Sequence, residues 1–267
     1  DWSSDVCSSD LGEKTRKRVM EYIRENNYKP NPMAKGLAES RTYNIAVVWP
    51  TDYDHMDLPF FQRCVVGMNR VASEHDTDIL ICMVKNNDIG ELDRIIKNHK
   101  VDGVILTRTL VDDAPARYLI QKKVPFVAIG SSPDARIVTV DNNHYEACRE
   151  LTSILAAKKA NTLALLGGNA NHIITLTRYR GYMDGLRDAG RCADDSFVYY
   201  DVDSETRVSK ILTEVIRRGA NCIICMDDMI CGMVMTWCRN EGIRLPHELK
   251  VASFYENKSL ANSSPTI

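Results

Sequence analysis

From Tyr43 onward the chain alternates short apolar runs, rich in Val and Ile, with longer stretches of helical periodicity. Runs of four or five apolar residues bounded by polar turns predict buried strands. They fall at Ile45–Trp49, Asp78–Cys82, Gly103–Leu106, Pro125–Ile129 and Ile137–Val140, then at Thr162–Leu166, Phe197–Tyr200, Cys222–Cys225 and Lys250–Phe254. Helical spacing fits residues 60–75, 90–99, 114–122 and 145–158 between them. Strands that alternate with helices predict parallel sheets covered by helices, since a parallel pair needs a long crossover. The fold class expected is α/β, as two similar Rossmann-like subdomains, over 44–142 and 143–267, joined near Asp141–Asn143.

The first 43 residues do not share this pattern. Residues 1–11 (DWSSDVCSSDL) have neither helical nor strand periodicity, and the string matches the translation of a sequencing adapter, so it is set apart as foreign. Residues 12–43 hold an amphipathic helix from Glu13, with Val19, Tyr22 and Ile23 on one face, that stops at Asn26-Asn27. A second short segment, Asn31 to Ala38, has Asn31 to cap it, Pro32 at its first position and Gly36 to weaken its middle. Between Glu13 and Thr42 eight basic residues face four acidic ones, so this stretch is locally cationic.

Composition narrows the classes. A formal net charge of -2 over 267 residues argues against nucleic-acid binding by the whole surface and confines it to the basic N-terminal segment. No apolar run is long enough to span a bilayer and no signal-peptide pattern appears, which together predict a cytoplasmic protein with no membrane partner. Nine cysteines scattered through apolar runs read as buried thiols. Cys222 and Cys225 imitate a metal motif, but residues three apart on a strand point to opposite faces. Gly167-Gly168 lacks the rest of a phosphate loop, and no nucleophile elbow or metal-ligand spacing is present, so neither catalysis nor a cofactor is indicated.

Several segments, in order and spacing, resemble the LacI/GalR family of bacterial regulators over nearly all of 13–267. These are Glu13–Arg16 running to Tyr28-Lys29-Pro30-Asn31, then Ala34-Lys35-Gly36-Leu37, Pro59-Phe60-Phe61, Val101–Ile105 and Val140-Asp141-Asn142. Arg178–Tyr182 and Met226–Met229 follow in the second half. The resemblance implies two subdomains of periplasmic-binding-protein type behind the last helix of a helix-turn-helix domain and a hinge helix. It implies a repressor of operator DNA, dimeric, controlled by a small effector, a saccharide by expectation. Tyr28, Asn31, Lys35 and Leu37 would contact DNA, with Leu37 as a wedge in the minor groove. It also implies that the recognition helix, ahead of Glu13, and elements beyond Ile267 are missing, which would leave an open sheet edge and poor solubility.

Ligands in such folds sit outside the carboxyl ends of the strands. Asp52, Tyr53, Asp54, Asp141, Asn142, Asp227, Asp228, Tyr255 and Glu256 follow strands, and carboxylates with aromatic rings suit a sugar. From the family's motifs, Phe61 would pack near the effector while Asp141, Arg178, Asp227 and Tyr255 supply polar contacts. Tyr255 stands where the family commonly has aspartate, and Asp227 where it has asparagine. Each also has a local alternative: Asp141 and Asp227 could cap helices, Phe61 could be core and Arg178 could pair with a carboxylate. A periplasmic sugar receptor of the same architecture and a Rossmann-like enzyme are the rival readings.

Overall fold

The structure is a computed structural model that describes residues 12–26, 28, 32–51, 59–85, 87–158 and 162–255. The adapter-like residues 1–11, Asn31, Asp52 to Asp54, Glu256 and the last eleven residues lie outside that range.

Two parallel sheets carry the molecule. In the first, β1 (Asn44–Pro50), β2 (Asp78–Val84), β3 (Gly103–Leu106), β4 (Phe126–Ile129) and β5 (Val138–Val140) are arranged β2-β1-β3-β4-β5. In the second, β6 (Leu163–Leu166), β7 (Val198–Tyr199), β8 (Cys222–Cys225) and β9 (Lys250–Ser253) are arranged β7-β6-β8-β9. Every pairing is parallel, with Val47 opposite both Ile81 and Ile105 and Leu165 opposite Ile224.

The helices supply the crossovers. They are α1 (Glu13–Glu25), α2 (Pro32–Glu39), α3 (Pro59–Glu74), α4 (Gly90–Lys97), α5 (Ala114–Lys122), α6 (His144–Ala157), α7 (Ile173–Asp188), α8 (Glu205–Arg217) and α9 (Asp228–Asn240). Their starts are chemically marked. Asp113, Asn143, Ser204 and Asp227 each accept a hydrogen bond from a first-turn amide of α5, α6, α8 and α9. The strand expected at Phe197–Tyr200 is shorter: Asp194 caps a 3-10 turn at Asp195–Phe197, so β7 is only two residues long.

Burial on both faces explains why these strands read as continuous apolar runs. In the second sheet Ala164, Leu166, Ile223 and Cys225 pack against Val208, Leu212, Ile230 and Val234 of α8 and α9. Their neighbours Leu163, Leu165, Cys222 and Ile224 pack against Tyr182 and Leu186 of α7 on the other side. Cys222 and Cys225 thus occupy opposite faces of β8. Among the described residues six of the eight cysteines are buried. In the first sheet Ala46, Val48, Val104 and Leu106 meet Leu92, Ile95 and Leu119 of α4 and α5.

Three exposed apolar surfaces remain. The α1 face of Val19, Met20 and Tyr22 has no buried residue, β5 leaves Val138 and Val140 exposed at the sheet edge, and Val66, Ile81 and Met83 are uncovered on α3 and β2. No described helix is long and apolar enough to cross a membrane.

The tightest helix pairing is α6 on α7, and glycine makes it possible. A Cβ at Gly181 would stand 2.5 Å from the Tyr145 carbonyl oxygen and 2.9 Å from Cys148 Cβ; at Gly185 it would stand 2.4 Å from the Arg149 carbonyl oxygen. Both obstacles are backbone and cannot swing aside. Gly181→Ala is therefore expected to lower stability by about 2–3 kcal/mol through overpacking. Urea unfolding monitored by far-ultraviolet circular dichroism checks this against Gly190→Ala, whose Cβ meets nothing within 4 Å, although its φ of +69° adds modest strain.

Candidate effector cleft

Parallel strands place all their carboxyl ends at one pole, and the loops that leave them carry the polar side chains. At the switch point between β1 and β3 the first lobe has only a cavity of about 10 Å³, lined by Val48, Pro50, Val84, Leu106 and Thr107. That holds one water at most.

Arg178, on α7, is the centre of the second lobe's contribution. It is 6% exposed, and its Nη1 donates to the Met226 carbonyl at the end of β8. Its Nε has no hydrogen-bond partner among the described residues. Burial pulls the guanidinium below its ordinary value, against the attraction of Cys148, Asp227, Tyr255 and Asp228. Asp227 is pushed the opposite way: burial raises its carboxyl above the usual range, although the Ile230 amide (2.8 Å) and Arg178 both favour the anion. In each case desolvation outweighs the opposing terms, the state of buried charges whose hydrogen bonding is incomplete.

Asp141 approaches the same arginine through His144. His144 Nε2 lies 3.3 Å from Asp141 Oδ1, with side chains 18% and 20% exposed. Burial, then Arg178, lowers the imidazole below its ordinary value, while Asp141 raises it. Asp141 also accepts the Asn142 amide at 2.8 Å. It does not cap α6, because Asn143 does; Asp227, by contrast, does cap α9.

An aromatic row crosses from one lobe to the other. Trp49 at the end of β1 meets Phe61 at 5.7 Å, Phe61 meets Phe60 at 5.2 Å, and Phe60 meets Tyr255 beyond β9 at 6.4 Å, edge to face. Phe61, singled out from the sequence, is one ring removed from the crossing; Phe60 makes it. The structure therefore brings Asp141, Arg178, Asp227 and Tyr255 into one electrostatic neighbourhood and places Phe61 at its aromatic flank.

A backbone clasp joins the lobes nearby. The loop after β3 and the loop after β6 form an antiparallel bridge between Leu110 and His172. The Val111 amide donates to the Asn171 carbonyl at 2.8 Å, and the Asp112 amide to Asn171 Oδ1 at 3.0 Å. The Ile173 amide donates to the Thr109 carbonyl at 3.2 Å, and Arg108 reaches His172 at 3.5 Å. His144, Asn171 and Arg108 were not singled out from the sequence, and Phe60 only as a member of the Pro59-Phe60-Phe61 motif. For Asn171 the signal available was its position directly behind a strand. Among the described residues no three His, Cys, Asp or Glu side chains converge as a metal site would require.

At the opposite pole lies the basic segment. Leu37 of α2 is 85% exposed and Tyr28 is exposed; Lys35 falls within α2, with its side chain outside the description. Gly36 is buried, and a Cβ there would come within 2.5 Å of the Arg41 carbonyl oxygen. Its place in α2 is thus set by the turn that follows rather than by flexibility.

Residues 42–263 match the family profile described as periplasmic binding proteins and the sugar-binding domain of the LacI family, and the chain belongs to that family. Among curated proteins it is 29% identical over 195 residues to the HTH-type transcriptional regulator MalR of Streptococcus pneumoniae, covering 72% of this chain and 60% of that protein. It is 25% identical over 258 residues to catabolite control protein A of Staphylococcus aureus, covering 95% and 77%. The chain thus spans about three fifths of the length of MalR. In fold it matches a LacI-type transcriptional regulator of Bacillus cereus subsp. cytotoxis, with a TM-score of 0.77 at 21% identity over 84% of this chain and 82% of that one. It also matches a transcriptional regulator CelR in complex with cellobiose, with a TM-score of 0.75 at 22% identity over 97% and 79%.

The His144 environment sets a pH dependence. Its ordinary value is about 6.5 in an unfolded chain, and the folded value is lower. The unfolded state therefore binds the proton first, so stability tied to His144 is whole above about pH 6.5 and is lost as pH falls toward the folded value. Urea titrations at pH 7.5, 6.5 and 5.5 should show a smaller loss of stability for His144→Gln than for the unaltered protein.

Proposed function

We propose that the protein is a DNA-binding transcriptional regulator, a repressor, whose operator affinity is set by a saccharide held between its two lobes. The observation that carries this reading is the placement of α2, which holds Lys35 and a leucine 85% exposed, at the pole of a LacI-family domain opposite its polar cleft. A transport receptor of the same architecture has no use for such an element. A regulator of this kind works in the cytoplasm, where the DNA is, and needs no cofactor for the task.

The effector's contacts follow from the chemistry of the cleft. Arg178 Nε offers a buried donor without a partner, and Asp227 and Asp141 offer acceptors, so a neutral polyol can satisfy all three at once. Phe61, with Phe60 and Tyr255, covers the apolar face of a sugar ring. Binding that draws the two lobes together changes the geometry of the pole that carries α2, and the difference in ligand affinity between the two arrangements is the control energy.

At the DNA side, Leu37 inserts between base steps and kinks the duplex, while Tyr28, Asn31, Lys35 and the neighbouring basic residues hold phosphates. A single eight-residue helix is too short to stand alone, so two hinge helices brace each other in a homodimer. The exposed apolar face of α3 and β2, with Val66 71% and Met83 62% exposed, is the surface that suits a second copy.

Three measurements test these assignments. Calorimetric titration with cellobiose, maltose and a panel of other mono- and disaccharides should find a binder, and Arg178→Met should weaken it at least 100-fold without changing the fold. Binding of no sugar by the unaltered protein would overturn the saccharide assignment. In the full-length protein, Leu37→Ala should weaken binding to duplexes tiled across the region upstream of its own gene by about tenfold or more, the worth of a lost wedge. Sugar affinity should stay as it was, and unaltered DNA affinity would remove the wedge. Sedimentation velocity should show Met83→Asp shifting a dimer toward monomer.

A further inference from the structure

The four residues between α2 and β1 are held with unusual completeness, and most of the grip comes from one side chain. Asp102, just before β3, accepts the Thr42 amide at 2.7 Å and the Thr42 hydroxyl at 2.9 Å on Oδ1, and the Tyr43 amide at 2.8 Å on Oδ2. Both carboxylate oxygens are thus spent on the segment that enters β1. The backbone adds to this at the same pole: the Asp78 amide donates to the Tyr43 carbonyl and the Asp102 amide to the Asn44 carbonyl, each at 2.8 Å. Asn44 Nδ2 reaches the Lys100 carbonyl at 3.0 Å.

The linker is equally bound to α2. The Arg41 amide donates to the Gly36 carbonyl at 2.9 Å, and the Tyr43 hydroxyl donates to Glu39. Ser40 and Tyr43 both take the left-handed conformation, with φ of 53° and 56°, which folds the chain back on the helix end. Non-glycine residues hold that conformation at a cost, and at Tyr43 the amide grip of Asp102 offsets it.

We propose that Asp102 is a positioning residue that clamps the linker to the amino ends of β1 and β3, so that α2 turns as part of the first lobe rather than swinging freely. The consequence for control rests on the regulator reading above: a lobe rotation set by the effector reaches DNA undiminished only through a stiff link. The clamp itself can be tested without DNA or effector, so its failure is separable from the failure of that reading.

Hydrogen-exchange mass spectrometry on the 267-residue protein is the direct test. Asp102→Ala should accelerate exchange of the Thr42 and Tyr43 amides about tenfold or more, as expected for loss of hydrogen bonds to a charged acceptor. Peptides from α7 to β9 should be unchanged. A fluorophore placed at position 37 through a non-natural amino acid should at the same time show faster nanosecond depolarisation, because α2 gains freedom. Asp102→Asn keeps one acceptor oxygen and should fall between, and Thr42→Val, which removes only the hydroxyl contact, should change exchange less than either. If alanine at 102 lowers the melting transition of the lobes, the asparagine and valine variants decide the matter in that same order. Exchange and depolarisation in Asp102→Asn equal to those of the unaltered protein would overturn the proposal.

Discussion

Parallel pairing is the constraint from which the rest of this structure follows. A strand that must run alongside its predecessor in the same direction has to be re-entered from the same end, so the connections return along the sheet, most of them as helices. All carboxyl ends then gather at one pole and all amino ends at the other. Arg178, Asp227, Tyr255 and the Asn171 clasp belong to the first pole; Thr42, Asp78 and Asp102 belong to the second. The two sets of side chains are separated by the length of a strand without any dedicated spacer.

The cleft is polar in an incomplete way. Burial disfavours the charged forms of both Arg178 and Asp227, and Arg178 Nε has no partner among the described residues to offset it. A ligand bearing several hydroxyls can complete both shells, whereas an apolar one would leave the Nε donor stranded. The aromatic row of Trp49, Phe61, Phe60 and Tyr255 supplies the apolar complement across the gap.

How much of this was legible depended on the range of the contacts. Strands buried on both faces announce themselves as apolar runs, and caps such as Asp113 and Ser204 sit where a helix start requires them. Family motifs then carried Arg178, Asp227 and Tyr255 to one place. Contacts between distant segments left no local trace. Phe60 and Phe61 are adjacent and chemically equal, so only the direction of α3 decides which faces Tyr255. Asp102 lay inside a noted motif without any hint that it reaches back 60 residues to Thr42. Gly36 read as a weak spot, yet the close Arg41 carbonyl makes it a steric necessity. Gly181 stood only within a family motif and Gly185 was not singled out, because propensity is local and helix crossing is not.

That glycine pair has a mechanical result. Because α6 and α7 meet backbone to backbone, His144 at the start of one and Arg178 on the other keep a fixed spacing. Phe60 and Phe61 stand on the far side of the gap at the start of α3, where Phe60 meets Tyr255 edge to face and the Leu110–His172 bridge joins the same two lobes. Any displacement of α7 therefore has to carry α6 along.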